Sequence, residues 1–322
     1  MDWPQPPTSD GPLRYIATRR ACAAHIVSHM KVHLIDGTYE LFRQHFGQAA
    51  RHSEPVPNAA TIGVLASTLQ LVAQGATHIG VASDHVIESF RNDLWPGYKT
   101  SAGMAEELLT QIPLMETALE AMGMTTWAMV DHEADDALAA AAMVADADPR
   151  VEQVLIITPD KDLGQCVHGT RVVQYDRRKD EIIDEAAVIA RFGVAPSSIA
   201  DYLALVGDSA DGYPGLAGWG AKSASAVLAR FATIEAIPAS ADEWGIEGLR
   251  GAAKLAASLD SQRDLALLFR RIATVVTDID VGVVDDWRWR GVTPAFAELA
   301  GQIGAVHLIE RAARLAKKID AR

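Results

Sequence analysis

Carboxylates recur along this 322-residue chain at the places where a sheet would gather them. Asp36 follows Leu34-Ile35, Asp84 closely follows Val81-Ala82, and Asp160 with Asp162 follows Ile157-Thr158. Each apolar run reads as a buried strand, and ligands of open parallel sheets bind outside the carboxyl ends of the strands. These acids, far apart in sequence, should therefore converge on one edge. Singly, each has a plainer reading: Asp before Gly is a common turn, and Asp160 could cap a helix. Their repetition at equivalent topological positions is the signal.

Glu133-Ala134-Asp135-Asp136 adds three acids at the start of a helix, with Glu133 and Asp136 on one face. Acids there complement the helix dipole, which accounts for one or two of them but not three in four residues. Asp208 and Asp211 complete the set; alone they would read as a solvated turn. Carboxylates packed together raise one another's pKa and cannot all stay ionised without cations. All-oxygen ligation without His or Cys points to magnesium or manganese. Two such ions about 4 Å apart would clamp the attacking and leaving oxygens of an in-line displacement at phosphorus.

Ser89-Phe90-Arg91 and Gly97-Tyr98-Lys99 follow Asp84 closely. Isolated, they are loop residues; beside a phosphate-cutting centre, Arg91 and Lys99 would hold the scissile phosphate and Tyr98 would offer a ring for stacking a base. The segment Gly215-Leu216-Ala217-Gly218-Trp219-Gly220-Ala221-Lys222-Ser223 superficially resembles a Walker loop. An extra residue separates Gly220 from Lys222, and a helix rather than a strand precedes it, which excludes an ATP site. It reads instead as a helix–turn–helix whose glycines admit backbone N–H groups to a phosphate chain, helped by the following helix N-terminus. Gly215, Gly218, Gly220, Lys222 and Ser223 are thus candidate DNA contacts.

The elements that must position these residues alternate. Val32–Ile35, Ile79–Ala82, Trp127–Val130 and Val154–Thr158 read as buried strands, with helical patterns at Ala59–Ala73, Glu106–Met122 and Ala134–Val144 between them. Val172–Tyr175 and Glu181–Ile183 look like a closing hairpin. Strands alternating with helices imply a doubly wound α/β layer. Pro196 and Ser197 open a helix through Val206, and from about residue 195 to 322 the pattern is helical, with short breaks near Ser240 and Asp286. Residues 1–29 read as a disordered arm, or as sequence upstream of a start at Met30.

Composition bounds the rest. Hydrophobic residues make up 49% and charged residues 22%, ordinary for a globular protein, and no apolar run reaches bilayer length. Cys22 and Cys166 form no disulfide framework and lack zinc-ligand spacing, which suits a reducing cytoplasm. The net charge of −13 argues at first against nucleic acid, but a sum says little about a chain that concentrates acids in one pocket and bases around it.

Leu34-Ile35-Asp36-Gly37, Ser89-Phe90-Arg91, Gly97-Tyr98-Lys99, Glu133 through Asp136, Thr158-Pro159-Asp160-Lys161-Asp162-Leu163 and Gly207-Asp208 through Ala224 together resemble the 5′ nuclease family, in family order. That family includes the N-terminal domain of bacterial DNA polymerase I and the flap endonucleases. The resemblance implies a PIN-like catalytic domain over residues 30–194, with a twisted, mainly parallel sheet, and then a helical domain carrying a helix–three-turn–helix. It implies that Asp36, Asp84, Glu133, Asp135 and Asp160 hold one metal, with Asp136 in support, and that Asp162, Asp208 and Asp211 serve a second. Arg91 and Lys99 would contact the scissile phosphate, and the glycine segment would bind the duplex backbone and a potassium ion. There are departures. Ser83 stands where polymerase-type members usually carry an aromatic, Gly212-Tyr213 replaces a common Asn-containing pair, and Thr100–Met104 lacks an arginine often found after the lysine. The last puts threading of a 5′ strand in doubt, not the metal chemistry.

The expectation is a stand-alone, monomeric 5′→3′ exonuclease and flap endonuclease acting on DNA with 5′ ends or 5′ flaps, since the chain ends without room for a polymerase. A phosphatase built on Asp160-Lys161-Asp162 leaves the glycine segment unexplained. A non-catalytic DNA-structure binder would have no use for so much carboxylate repulsion.

Overall fold

The computed structural model describes residues 30–49 and 56–320; the arm expected over residues 1–29 lies outside the described residues. The first part of the chain runs β1 (Met30–Asp36), α1 (Gly37–Ala49), α2 (Ala59–Gln74), β2 (His78–Asp84), α3 (Phe90–Leu94), α4 (Glu106–Leu109), α5 (Gln111–Ala121), β3 (Thr125–Met129), α6 (Ala134–Ala147), β4 (Val151–Ile157), β5 (Val172–Asp176), β6 (Glu181–Ile183) and α7 (Glu185–Phe192). The strands form one sheet in the order β3-β2-β1-β4-β5-β6, parallel except for the β5–β6 hairpin. Strand order reverses at β1, the switch point where α/β sheets open a crevice.

Both faces are covered, which is why the strands read as unbroken apolar runs. Val32, Leu34, Val154 and Ile156 pack with α6, while Ile35, Ile79, Leu155 and Ile157 pack with α2 and α5. Register fixes the site: Asp36 pairs with Ala82 across β1–β2, and Ile35 with Ile157 across β1–β4. The carboxyl ends of β1, β2 and β4 are therefore level. The buried face of α6 is nearly all alanine (Ala137, Ala139, Ala140, Ala141, Ala142 and Ala145), so the helix can lie close to the sheet.

Several elements depart from the sequence reading. The single helix expected over Glu106–Met122 is two, α4 and α5, meeting at Thr110. Pro113 has no N–H for the Leu109 carbonyl, so a continuous helix would lose that bond and clash there. Helices α1, α3 and α7 carry no expectation from the sequence. The breaks near Ser240 and Asp286 are longer than expected, since short 3-10 turns at Ile234–Ala236, Ala241–Glu243 and Val284–Trp287 are the regular structure they contain.

The second part begins with α8 (Ile199–Val206), α9 (Ala221–Phe231), α10 (Ala252–Ser261) and α11 (Arg263–Ala273). Leu203, Val227, Leu228, Leu259 and Phe269 lie in a separate core between them. After Thr274 the chain returns to the sheet, unlike the single helical unit expected over 195–322. Val275, Val281, Val284 and Trp287 join the α6 side. Helices α12 (Phe296–Ile303) and α13 (His307–Asp320) add Phe296, Ala300, Leu308 and Ala312 to the cluster of α2 and α5. Trp289 fixes the return: its backbone N–H donates to the Thr77 carbonyl at 2.8 Å and its indole N–H to the Met122 carbonyl at 2.8 Å. No single helix among the described residues is long and apolar enough to cross a membrane.

Candidate active site

Asp36 ends β1 and turns the chain into α1: one carboxylate oxygen accepts the Tyr39 N–H at 2.8 Å and the other the Thr158 hydroxyl at 3.0 Å. Asp84 ends β2, where its backbone N–H donates to the Thr38 hydroxyl and its carboxylate accepts the Ala134 N–H, both at 2.8 Å. That bond docks the start of α6, and so Asp135, onto the same edge. Thr158 is shared, since its hydroxyl also accepts the Asp160 N–H at 3.2 Å. Burial pushes Asp36 up to about 7, with Asp84 and Asp160 adding repulsion. Burial also lifts Asp84. Asp135 is held well above the carboxylate range by burial, then by Asp160 and Asp36.

Asp160 reaches a second group. One of its carboxylate oxygens accepts the Asp162 N–H at 2.9 Å, in the turn that opens a short 3-10 helix. One oxygen each from Asp162, Asp208 and Asp211 lies within 4.8 Å of the other two. Opposite ligands on an octahedral magnesium ion stand about 4.2 Å apart and neighbouring ones about 3 Å, so the three carboxylates would draw together around one ion. Asp162 Oδ1 is buried and has no hydrogen-bond partner, an orphaned acceptor that a cation would satisfy. Burial, then Asp160 and Asp211, hold the Asp162 carboxyl well above its ordinary range. Lys161, which the sequence reading left without a role, turns its ammonium onto Asp208 Oδ2. Its place between Asp160 and Asp162 was the available signal.

Lys99 stands between the acids: its ammonium, on a side chain 30% exposed, lies 2.8 Å from Glu133 and 3.1 Å from Asp211. Its loop is fixed backbone to backbone, with the Lys99 N–H donating to the Asp211 carbonyl at 3.0 Å. Gly212 allows this approach, because a Cβ there would sit 2.0 Å from the Gly97 carbonyl oxygen. Despite burial, Glu133 and Asp211 keep Lys99 protonated well beyond its usual range. Despite its own burial, Glu133 is held below its usual range by Lys99 and Arg91. Glu133 also accepts the Ser89 hydroxyl at 2.6 Å, so it meets the acid group already engaged by donors.

Four sequence-derived assignments need correction. Arg91 is 3% exposed and binds Asp136 through both terminal nitrogens at 2.7 Å, while its Nε donates to the Ile272 carbonyl at 2.8 Å. It braces the interior and offers nothing to a phosphate. Asp136 is consequently engaged by donors on both oxygens, accepting from Arg91, the Glu133 N–H and the Val276 N–H, and supports the site through these contacts rather than as a free ligand. Tyr98 is 4% exposed, with its hydroxyl donating to Glu133 at 3.2 Å, so no ring face is open to a base. Gly215 is buried at the end of α8, where a Cβ would lie 2.4 Å from the Gly207 nitrogen; it closes a corner rather than facing a ligand. Gly218, Gly220, Lys222 and Ser223 do line an open cavity. The Ser223 hydroxyl is occupied with the Gly220 N–H and carbonyl at 3.0 Å, starting α9.

The comparisons with known proteins agree with this architecture. Residues 31–193 match the model of the 5′-3′ exonuclease N-terminal resolvase-like domain, and residues 194–295 that of the 5′-3′ exonuclease C-terminal SAM fold. The chain is 32% identical to a DNA polymerase I of Pseudomonas aeruginosa over 262 residues, 80% of this chain and 28% of that protein. It thus spans about a third or less of the polymerase relatives. It is 28% identical to a 5′-3′ exonuclease of Aquifex aeolicus over 258 residues, 79% of this chain and 85% of that one. The fold is shared with the zinc-bound T5 5′-exonuclease (TM-score 0.61, 18% identity, 90% of this chain and 98% of that one). It is also shared with flap endonuclease-1 from Methanococcus jannaschii (TM-score 0.57, 16% identity, 91% and 94%). With both domain models matched in succession on a sheet-plus-helical-bundle of the same form, the chain belongs to the 5′-3′ exonuclease family.

Proposed function

We propose that this chain hydrolyses phosphodiester bonds of DNA as a divalent-metal-dependent 5′→3′ exonuclease and flap endonuclease, acting as a monomer on duplexes with 5′ ends or 5′ flaps. The observation that carries the reading is the pair of carboxylate groups joined through Asp160, one with Asp36, Asp84 and Asp135, the other with Asp162, Asp208 and Asp211. Buried acids that hold one another partly protonated, and an orphaned Asp162 oxygen, fit hard cations, magnesium or manganese. When bound, such ions supply Lewis acidity and an activated water for in-line attack at phosphorus. The first group would hold one ion, with Glu133 beside it, and the second group the other.

Lys99 supplies the positive charge that this chain itself contributes at the reacting phosphate. Glu133 and Asp211 pin its ammonium at the junction of the two groups, protonated and partly exposed. A preoriented cation favours the charge developing on the phosphate oxygens without reorganising during the reaction. The glycine-rich turn would grip duplex backbone away from the cut and would hold a potassium ion.

The test is incubation with an end-labelled 5′-flap duplex and magnesium, with the cuts mapped at nucleotide resolution. Cleavage at the flap junction or stepwise from the 5′ end is the expected result, lost on chelation. Duplex binding without cleavage at any metal concentration would leave a DNA-structure binder instead.

A further inference from the structure

A cavity of about 1010 Å³ lies between two turns that each lead into a helix. Gly218-Trp219-Gly220 leads into α9, and Ile246 to Gly251 leads into α10. The second turn played no part in the sequence reading. Both helices are long enough to carry a full N-terminal positive end, and both start on the cavity wall.

The two turns are fastened together. The Ser258 hydroxyl of α10 donates to the Ala217 carbonyl of the first turn at 2.8 Å. The rings of Trp219 and Trp244 lie 6.1 Å apart beneath them. Lys222, Arg250 and Lys254 line the cavity, exposed, with no ion-pair partner among the described residues; Glu247 is the one acid on its wall. By contrast Arg270 is tied to Glu235 and Asp201, Arg263 to backbone carbonyls, and Arg311 to Gln70. Trp219 is 7% exposed and lines the same wall, and its buried indole N–H donates to no acceptor. An unsatisfied buried donor is a cost that a bound acceptor would remove. Gly220 adds a further sign. Its φ of −156° suits any residue, and a Cβ there would meet nothing within 4 Å. The protein's own packing does not require glycine at this position, whereas a ligand's backbone pressing into the cavity would.

We propose that the two turns form one paired cradle for successive phosphates of a single strand of duplex DNA, with Arg250, Lys254 and the α10 N-terminus as the second half of the grip. The cavity is too large for one phosphate, and a backbone carries its charges at regular short intervals. The inference rests on the nuclease reading and extends it to a surface beyond the glycine-rich turn.

The experiment measures affinity for a blunt duplex over a potassium chloride series, with calcium in place of magnesium. Wild type is compared with R250A/K254A, with Lys222→Ala and with Gly220→Ala. Each lost phosphate contact lowers the slope of log affinity against log salt by about 0.9, so R250A/K254A is expected to lower it by about 1.8 and to weaken binding by about tenfold or more. Gly220→Ala, unstrained and facing open space, is expected to weaken binding with the melting temperature unchanged. If R250A/K254A and Gly220→Ala kept wild-type slope and affinity while Lys222→Ala lost both, the second turn would be no part of the grip and the nuclease reading would stand. If wild type bound duplex through these residues yet never cut a 5′ flap with magnesium, the nuclease reading would fall and the cradle would stand.

Discussion

Arg91 and Asp136 meet through two parallel hydrogen bonds of 2.7 Å, with side chains 4% and 0% exposed. A fork of this kind, out of water, is a structural brace. Removing one partner strands the other charge, which typically costs about 3–5 kcal/mol. Arg91→Ala is therefore expected to lower the unfolding free energy by about that much in a denaturant titration. Unchanged stability with a weakened grip on DNA would return Arg91 to the phosphate.

Lys99→Ala is expected to behave differently. Its ammonium is partly exposed between Glu133 and Asp211, and its charge matters most when the phosphate oxygens gain charge. Single-turnover cleavage should fall by about 100-fold or more, while duplex affinity measured in calcium stays within about threefold. A loss confined to affinity would make Lys99 an ordinary anchor.

Asp160→Asn is expected to abolish cleavage and yet stabilise the metal-free protein. Asp160 adds to the repulsion felt by Asp36, Asp135, Asp162 and Asp211, so neutralising it relieves all four. A gain of about 1 kcal/mol corresponds to roughly 1–2 °C at this size, read by calorimetry with chelator present. A lower melting temperature would mean that Asp160 is held by contacts stronger than the repulsion.

Stability should depend on pH and metal together. Unfolding returns Asp36 from about 7 to its ordinary 3.8, so between these values the unfolded chain binds fewer protons than the folded one. Stability of the metal-free protein then falls as pH rises from about 4 to about 7 by this group, at no more than about 1.4 kcal/mol per pH unit, and levels off above. Magnesium should cancel the loss, so the melting-temperature gain on adding it should grow from pH 5 to pH 8. A gain independent of pH would disconnect Asp36 from the ion.

Much of this architecture was legible because the relevant signals are local. Apolar runs ending in Asp36, Asp84 and Asp160 report both strand and edge, and register does the rest. Arg91 and Tyr98 misled because sequence shows that they neighbour Lys99 but not which way they turn. Arg91 is claimed by the Ile272 carbonyl, 181 residues away, and no local pattern announces that. The return of α12 and α13 to the sheet was hidden for the same reason: an amphipathic helix declares that it has an apolar face, not which core receives it.

The end of α11 and the segment that follows it are stitched to the carboxylate edge at several points. Arg91 holds the Ile272 carbonyl, Gln165 bonds the Asp162 and Ala273 carbonyls and the Val275 N–H, and Asp136 accepts the Val276 N–H. The helical unit therefore cannot swing freely against the carboxylates. Under the proposed function that makes the molecule a ruler: the spacing from gripped duplex to scissile bond is set by protein length, not by base sequence. Loosening the stitch, as in Gln165→Ala, is expected to scatter the cut over neighbouring nucleotides on a flap substrate, and an unchanged single product would show that the spacing is kept elsewhere.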